Sequence, residues 1–342
     1  MIFFLIILLV LSCISIKFAG VGKFHEDYLS KSNTTAINGI FVVFVFFCHF
    51  AQYISFGNVL VDRPFVYFIS RLGQLVVTTF FFFSGYGIIC SIIKKGMPYI
   101  KSIPYKRFLG VLIHFDIAVG LFMLANLCLG RKFPLQTNLL ALTGWESIGN
   151  SNWYIFAILC LYLIVFLSFI VCKGNKYIGT AITAALTAGL VYLLMISGKP
   201  AYYYNTLVCY PLGMVYGLFK DKIDKFIMKN DFIYLGFLAV FITLFCLRGI
   251  VIKSYTLVCV FFLAIIVLAS MKIRVNNKFL QFTGSHIFEI YILQRLPMMI
   301  FAYFGLTSHR YIFFILSIIV TFCLTLLLKK CTTAIDKKLF KK

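Results

Sequence analysis

The sequence predicts an all-α protein, a polytopic bundle of about eleven transmembrane helices with its N-terminus outside and its C-terminus in the cytoplasm. Three observations predict it. Of 342 residues, 62% are hydrophobic and 12% are charged, whereas soluble domains run at roughly 45–50% and about 25%. Apolar runs close to the roughly 20 residues that cross a bilayer recur along the whole chain. Lysine and arginine gather in alternate connections between those runs. The mean hydropathy of +1.00 agrees. This composition argues against a water-soluble enzyme, a disordered chain and a secreted disulfide scaffold.

The first apolar segment, Ile2–Ile16, is short. Secretory signal peptides start with basic residues, and none precedes this run, so it reads as a retained helix. Val10-Leu11-Ser12-Cys13 only loosely resembles a lipoprotein cleavage site. The next five segments are Asn38–Phe56, Gly73–Ile93, Phe108–Leu129, Trp153–Cys172 and Ile178–Ser197. The seventh, Tyr203–Phe219, is interrupted by Pro211 and Gly213, a break tolerated where neighbouring helices cover the freed backbone. Asp231–Leu247, Tyr255–Ser270, Phe282–Phe304 and Tyr311–Leu328 complete the set. No repeat, linker or appended soluble domain is evident.

Charge sets the orientation. The net charge of +22 would suggest a nucleic-acid partner in a soluble protein. In a membrane protein, cytoplasmic loops collect lysine and arginine, and no nucleic-acid partner is expected. With the N-terminus outside, the inner segments 17–37, 94–107, 173–177, 220–230, 271–281 and the tail after 328 hold 23 of the 32 basic residues. Outer segments hold eight, and Arg295 falls within a span. The eleven cysteines form no CxxC pair, so neither a disulfide frame nor a metal site is indicated.

Ionisable groups inside a bilayer are costly and mark function by default. Here they are His49, His114, Asp116, His286, Glu289 and Arg295, with Gln52, Asn126 and Gln294 beside them. His49 follows Asn38 by eleven steps. Those steps place it about 16 Å further along a helix and back on nearly the same face. Gln52 and Tyr53 continue that face. A neutral imidazole in a dry site suits proton abstraction, although a buried histidine satisfied by a carbonyl fits the pattern equally well. Asp116 and His114 read as structural partners of another helix, and His286 as a solvated helix-start residue. Lys94, Lys95, Lys101, Lys106 and Arg107 form the strongest inner cluster outside the tail. It is either a topology signal or a site for a phosphorylated cytosolic ligand. No Walker-type loop is present, so direct ATP use is not suggested.

Several stretches resemble, in order over roughly residues 34–328, the acyltransferase-3 family of integral membrane acyltransferases. Ile37-Asn38-Gly39-Ile40 with His49-Phe50 resembles its opening motif, in which a basic residue precedes Gly-Ile and a histidine follows eleven positions later. The aromatic Phe80-Phe81-Phe82-Phe83-Ser84-Gly85-Tyr86-Gly87 resembles its Ser-Gly segment. Tyr105-Lys106-Arg107-Phe108 resembles the basic opening of the next span, and Asn152-Trp153-Tyr154 the start of a middle span. Tyr210-Pro211-Leu212-Gly213-Met214 and Gly284-Ser285 through Glu289-Ile290-Tyr291 resemble later landmarks. Two positions depart from the pattern: Asn38 stands where the family has a basic residue, and Gly110 where a second arginine is common. Asparagine brings no charge to a phosphate or thioester. Another cation, such as Lys31 or Arg71, then substitutes, or donor binding is weaker.

The resemblance implies residues 1–20 as an extra N-terminal helix and 21–342 as the acyltransferase domain. It implies transfer of an acyl group, acetyl first among the candidates, from acetyl-CoA to a hydroxyl of an envelope or exported polysaccharide or lipid-linked sugar. The setting would be the plasma or inner membrane of a bacterium, with the bilayer, acyl-CoA and a glycan as partners. His49 would be the general base. Asn38, Lys94, Lys95, Lys106 and Arg107 would hold the donor. Gln52, Tyr53, Ser84, Tyr86, Trp153, Tyr154, Glu289 and Tyr291 would line the substrate groove. An acyl-enzyme on His49, Ser84 or Tyr86 rivals direct transfer. A flippase or transporter for a lipid-linked saccharide, a glycan polymerase or ligase, and a non-catalytic member of the family are the competing readings.

Overall fold

The computed structural model describes residues 1–57 and 59–340. Lys341 and Lys342 of the basic tail lie outside them. Helix α1 covers Ile2–Cys13, α2 Lys31–Phe50, α3 Arg63–Leu72, α4 Leu75–Lys95, α5 Met97–Cys128, α6 Leu135–Leu142, α7 Trp153–Val171 and α8 Lys176–Ile196. Then come α9 Cys209–Ile227, α10 Asp231–Cys246, α11 Tyr255–Lys272, α12 Lys278–Ser285, α13 Ile287–Leu293, α14 Arg295–Tyr303 and α15 Arg310–Leu339. The all-α expectation holds, with one addition: β1 (Lys17–Phe18) pairs antiparallel with β2 (Ile273–Arg274).

Local chemistry explains the boundaries. Ser30 caps α2 by accepting the Asn33 N–H, so the helix starts seven residues before the apolar run that announced it. Asn175, Asn230 and Asn277 cap α8, α10 and α12 in the same way. Gly96, at φ +59°, turns the chain from α4 into α5. The segment 94–107, expected as a loop, is largely helical. Pro104 offers no N–H to the preceding turn, and the helix widens to a π-turn over Pro104–Leu109, which carries Lys106 and Arg107.

Among the described residues seven helices are long and apolar enough to cross a membrane: α2, α4, α5, α7, α8, α11 and α15. The bent pair α9 and α10, which meet at 118°, raises the number to eight. The other expected spans are accounted for individually. Helix α1 has only 12 residues, about 18 Å of rise against about 30 Å of hydrocarbon. The tenth segment is broken into α12, α13 and α14. Pro297 cannot donate to the Leu293 carbonyl, and the chain breaks at Gln294.

Contacts sort the connections into two ends. Lys17 pairs with Arg274 across the strands. Tyr28 donates to Asp224 at 2.6 Å, the Tyr177 and Phe219 rings lie 6.1 Å apart, and His114 meets Asp336 at 3.0 Å. These contacts join residues at or beside the expected inner segments at one, basic end. At the far end Arg310 pairs with Asp62, Lys199 with Glu146, and Arg131 lies over Tyr303.

Two helix pairs pack backbone to backbone. A Cβ on Gly284 would collide with the Thr35 carbonyl, and one on Gly39 with the Leu280 carbonyl. Gly85 and Gly213 likewise face Tyr210 and Phe82. Small residues permit this close approach where lipid offers no hydrophobic drive for association. The first contact fixes α2 against α12, and the second fixes α4 against α9. Leu127, Val171 and Phe232 are among the large apolar side chains left exposed, as a lipid-facing surface requires.

Candidate active site

Helix α2 carries His49 to the far end, where a cavity of about 390 Å³ opens. Val45, Cys48 and His49 form one wall, with Gln52 in the turn after the helix. Gly73, Gln74, Val76 and Val77, at the start of α4, form the second. The loop before α7 supplies Ser147, Asn150, Ser151 and Asn152, followed by Trp153. Tyr202, Tyr291 and Arg295 complete the lining.

The 147–152 loop is ordered by its own polar groups. Ser147 Oγ donates to the Asn150 carbonyl at 2.8 Å, and Asn150 Oδ1 accepts the Ile148 N–H at 3.0 Å. Gly149 adopts φ +108° to close the turn. Asn126 on α5 donates to the Ile148 carbonyl at 2.8 Å, and Asn152 donates to the Gly144 carbonyl and to the Tyr203 hydroxyl. The loop is therefore held without help from a ligand. Asn150 Nδ2 and Ser151 Oγ remain buried and unpartnered.

His49 is buried, and its Nδ1 has no hydrogen-bond partner. Among the described residues no carboxylate orients the imidazole. The Tyr291 ring lies 6.2 Å away, and its hydroxyl is also unpartnered. Tyr154 stands behind, 5.4 Å from Tyr291. The guanidinium of Arg295 sits 5.7 Å over the Tyr53 ring. Buried polar atoms are normally satisfied. A ring of unsatisfied ones around a cavity marks a place where a polar ligand sits, since each gains a partner only when the cavity is filled. A second cavity, of about 280 Å³ among α9, α10 and α11, has an almost wholly apolar wall that includes Leu212, Val215, Phe237 and Leu263. The Tyr216 hydroxyl in its wall is already engaged by Tyr28.

The remaining expected site residues fall elsewhere. Asn38 sits in the basic half of α2 with an unpartnered Oδ1. Arg107 lies near Tyr99, Tyr162 and Tyr210. The Tyr99 and Tyr210 hydroxyls are unpartnered, and Tyr162 meets Ser84 at 3.5 Å. Tyr162 also neighbours Tyr154, so a row of tyrosines leads from Arg107 toward the far cavity. Lys94 and Lys95 end α4, with Lys95 5.9 Å from the Tyr99 ring. Lys106 lines a separate surface cavity with Tyr105, Leu339 and Phe340. Tyr86 packs beside Gly217. Glu289 does not line the far cavity: its Oε1 accepts from Lys329 at 2.9 Å.

The cavity thus brings together His49, Gln52, Trp153 and Tyr291 of the expected site. Tyr53 and Tyr154 lie one layer out, and Ser84, Tyr86, Asn38 and Glu289 lie away from it. Sequence reasoning missed Gln74, Tyr202 and the 147–152 loop. The polar run Ser147-Ile148-Gly149-Asn150-Ser151-Asn152 directly before an apolar span was the available signal. Arg295 was visible as an intramembrane cation, without a place in the site.

Comparison with known proteins assigns a family. Residues 35–330 match the family model described as an acyltransferase domain. No curated protein and no solved structure matches the chain. The matched stretch runs from the Asn38–His49 helix through the 147–152 loop to Arg295 and Lys329, and covers most of the chain. The chain belongs to the acyltransferase-3 family of membrane acyltransferases.

Proposed function

We propose that the protein transfers an acyl group, acetyl first among the candidates, from acyl-CoA to a hydroxyl of an envelope or exported polysaccharide or a lipid-linked sugar. One observation carries this reading: a buried histidine with a free ring nitrogen lines a polar cavity at the far end of an acyltransferase-family chain. The chemistry follows from that group. The acceptor hydroxyl attacks the thioester carbonyl carbon while His49 takes its proton. The C–S bond breaks, and the CoA sulfur leaves with the proton that the imidazolium returns. A positioned base of this kind contributes about 10²–10⁴-fold.

The donor approaches from the basic end. Arg107, with Lys94, Lys95 and Lys106 in the same region, suits the CoA phosphates. The tyrosine row gives the donor's amide-bearing arm hydrogen-bonding partners on its way to His49. Trp153 and Tyr202 offer flat faces on which a sugar ring stacks. In this reading the far end faces outward, the C-terminus is cytoplasmic, and the cell membrane of a bacterium is the setting. About eleven crossings then require α1 and the broken helices to complete the traverse. That no carboxylate among the described residues orients His49 fits direct transfer, in which the acceptor itself fixes the imidazole.

The test is thiol release from acetyl-CoA by the purified protein with a crude envelope glycan extract, comparing wild type with His49→Ala. Glycan-dependent release by the wild type and its loss in a folded mutant are expected. Equal release by both proteins would overturn the role of His49. No release across several extracts and donors would overturn acyl transfer itself.

A further inference from the structure

The far cavity holds one cation and no anion. Among the described residues no carboxylate pairs with Arg295, and its Nε is buried without a partner. None of the cavity's lining residues is acidic. Partial withdrawal of an uncompensated cation from water is costly, and stacking on Tyr53 returns only part of that cost. A site keeps such a charge where the ligand brings the counter-charge. Guanidinium does this best with planar carboxylate or with phosphate, which it meets through two parallel hydrogen bonds.

An independent observation points the same way. The expected outer segments hold eight basic residues and two acidic ones, Asp62 and Glu146. Both acids are already paired, with Arg310 and Lys199. The other six cations have no carboxylate partner among the described residues. Topology alone drives lysine and arginine away from this face, so their excess here needs a cause. A field of this sign raises the concentration of anions at the far end.

We propose that the far cavity is an anion-selective acceptor subsite, in which Arg295 pairs with a carboxylate or phosphate group of an acidic saccharide. The proposal rests on the acyl-transfer reading, which makes the cavity's ligand an acceptor. The amides of Gln52, Gln74 and Asn150 and the Ser151 hydroxyl answer the sugar's hydroxyls. Arg295 answers its charge and turns one hydroxyl toward His49. Arg295 is a positioning residue here, selecting the acceptor without touching the reacting atoms.

The experiment is calorimetric titration of the full chain, in nanodiscs of phosphatidylcholine, with three probes of matched length. They are an oligogalacturonate, a poly(glycerol phosphate) and a neutral maltooligosaccharide. At least one acidic probe is expected to bind at least tenfold more tightly than the neutral one, and the tighter of the two identifies carboxylate or phosphate as the group read. Arg295→Gln collapses that preference toward unity, and Arg295→Lys retains part of it. Arg131→Gln, an outer cation that does not line the cavity, retains it. Equal binding of all three probes, no binding of either acidic probe, a preference that survives Arg295→Gln, or one lost equally in Arg131→Gln would each overturn the proposal. His49→Ala separates the two readings. It keeps the binding preference while losing thiol release, and a wild type that prefers acidic probes but never releases CoA contradicts the transfer reading alone.

Discussion

The His49 imidazole and the Tyr291 phenol face one cavity from different helices, their ring centres 6.2 Å apart, and both carry a polar atom with no protein partner. Tyr291→Phe keeps the ring and removes only the hydroxyl. Because no side chain among the described residues bonds that hydroxyl, its loss strands no buried side-chain donor or acceptor. The melting temperature should therefore hold while the turnover number for acyl transfer falls about tenfold, the size expected when one polar contact worth about 1.4 kcal/mol is lost from the reacting complex. Thiol-release kinetics beside a thermal melt decide it. Unchanged turnover would reduce Tyr291 to a wall of the cavity.

The backbone contacts make a separate, purely structural prediction. Gly284→Ala and Gly213→Ala drive a methyl group into the Thr35 and Phe82 carbonyls, which cannot yield without separating α2 from α12 or α4 from α9. Overpacking of this kind costs about 1–3 kcal/mol or more. Gly87→Ala and Gly120→Ala meet nothing within 4 Å and lie within helices, where alanine is favoured over glycine by about 1 kcal/mol. Thermal unfolding in detergent should rank the first two well below wild type and the second two at or above it.

How much of this the sequence discloses depends on the range of the interaction. Apolar runs and capping residues are local, so α4, α7 and α8 are readable within a few residues. Ser30 shows the limit, because its cap extends α2 through seven residues that hydropathy alone leaves in a loop. The eleven-step spacing of Asn38 and His49 correctly implies one helix, but His49 lines the far cavity and Asn38 does not. Glu289 was grouped with the site for its neighbourhood in sequence. Its partner Lys329 sits forty positions away and reads as a tail cation, so only the packing of α13 on α15 could assign it. Arg295 was conspicuous for its cost in a membrane, yet the lack of a partner, which gives it meaning, is a three-dimensional fact.

At the basic end Arg107, Lys94 and Lys95 are all exposed, but Arg107 lies near three tyrosines, Tyr99, Tyr162 and Tyr210, whereas Lys94 and Lys95 end a helix. Phosphate recognition by a fixed guanidinium is worth more than by a mobile, hydrated ammonium. Arg107→Gln should raise the KM for acetyl-CoA about tenfold with a smaller change in kcat, and Lys94→Gln should raise it less than threefold, within the range of exposed charge contacts. Thiol release against acetyl-CoA concentration measures both. A kcat that falls in Arg107→Gln with KM unchanged would place the arginine in the transfer step instead of in donor binding.

Asp62 lies between spans, buried to 1% exposure, and its Oδ2 meets Arg310 at 2.9 Å while its Oδ1 receives the Met1 amine and the Ile2 N–H. Burial alone pushes its carboxyl upward, but the amine, the Ile2 N–H and the Arg310 charge outweigh that and hold it below the ordinary aspartate value. A carboxyl with a depressed folded value stabilises the protein fully above its unfolded value, near about 3.9, and loses that contribution as pH falls through the folded one. Asp62→Asn should therefore be less stable than wild type at pH 7. Roughly 1–3 kcal/mol is expected, less than the about 3–5 of a fully buried pair because Arg310 is partly exposed. The gap should persist to about pH 5 and narrow below about pH 4. Thermal melts of both proteins across that range give the answer. A gap that stays constant into acid would mean that the asparagine costs packing at α1, α3 and α15, with no contribution from the charge.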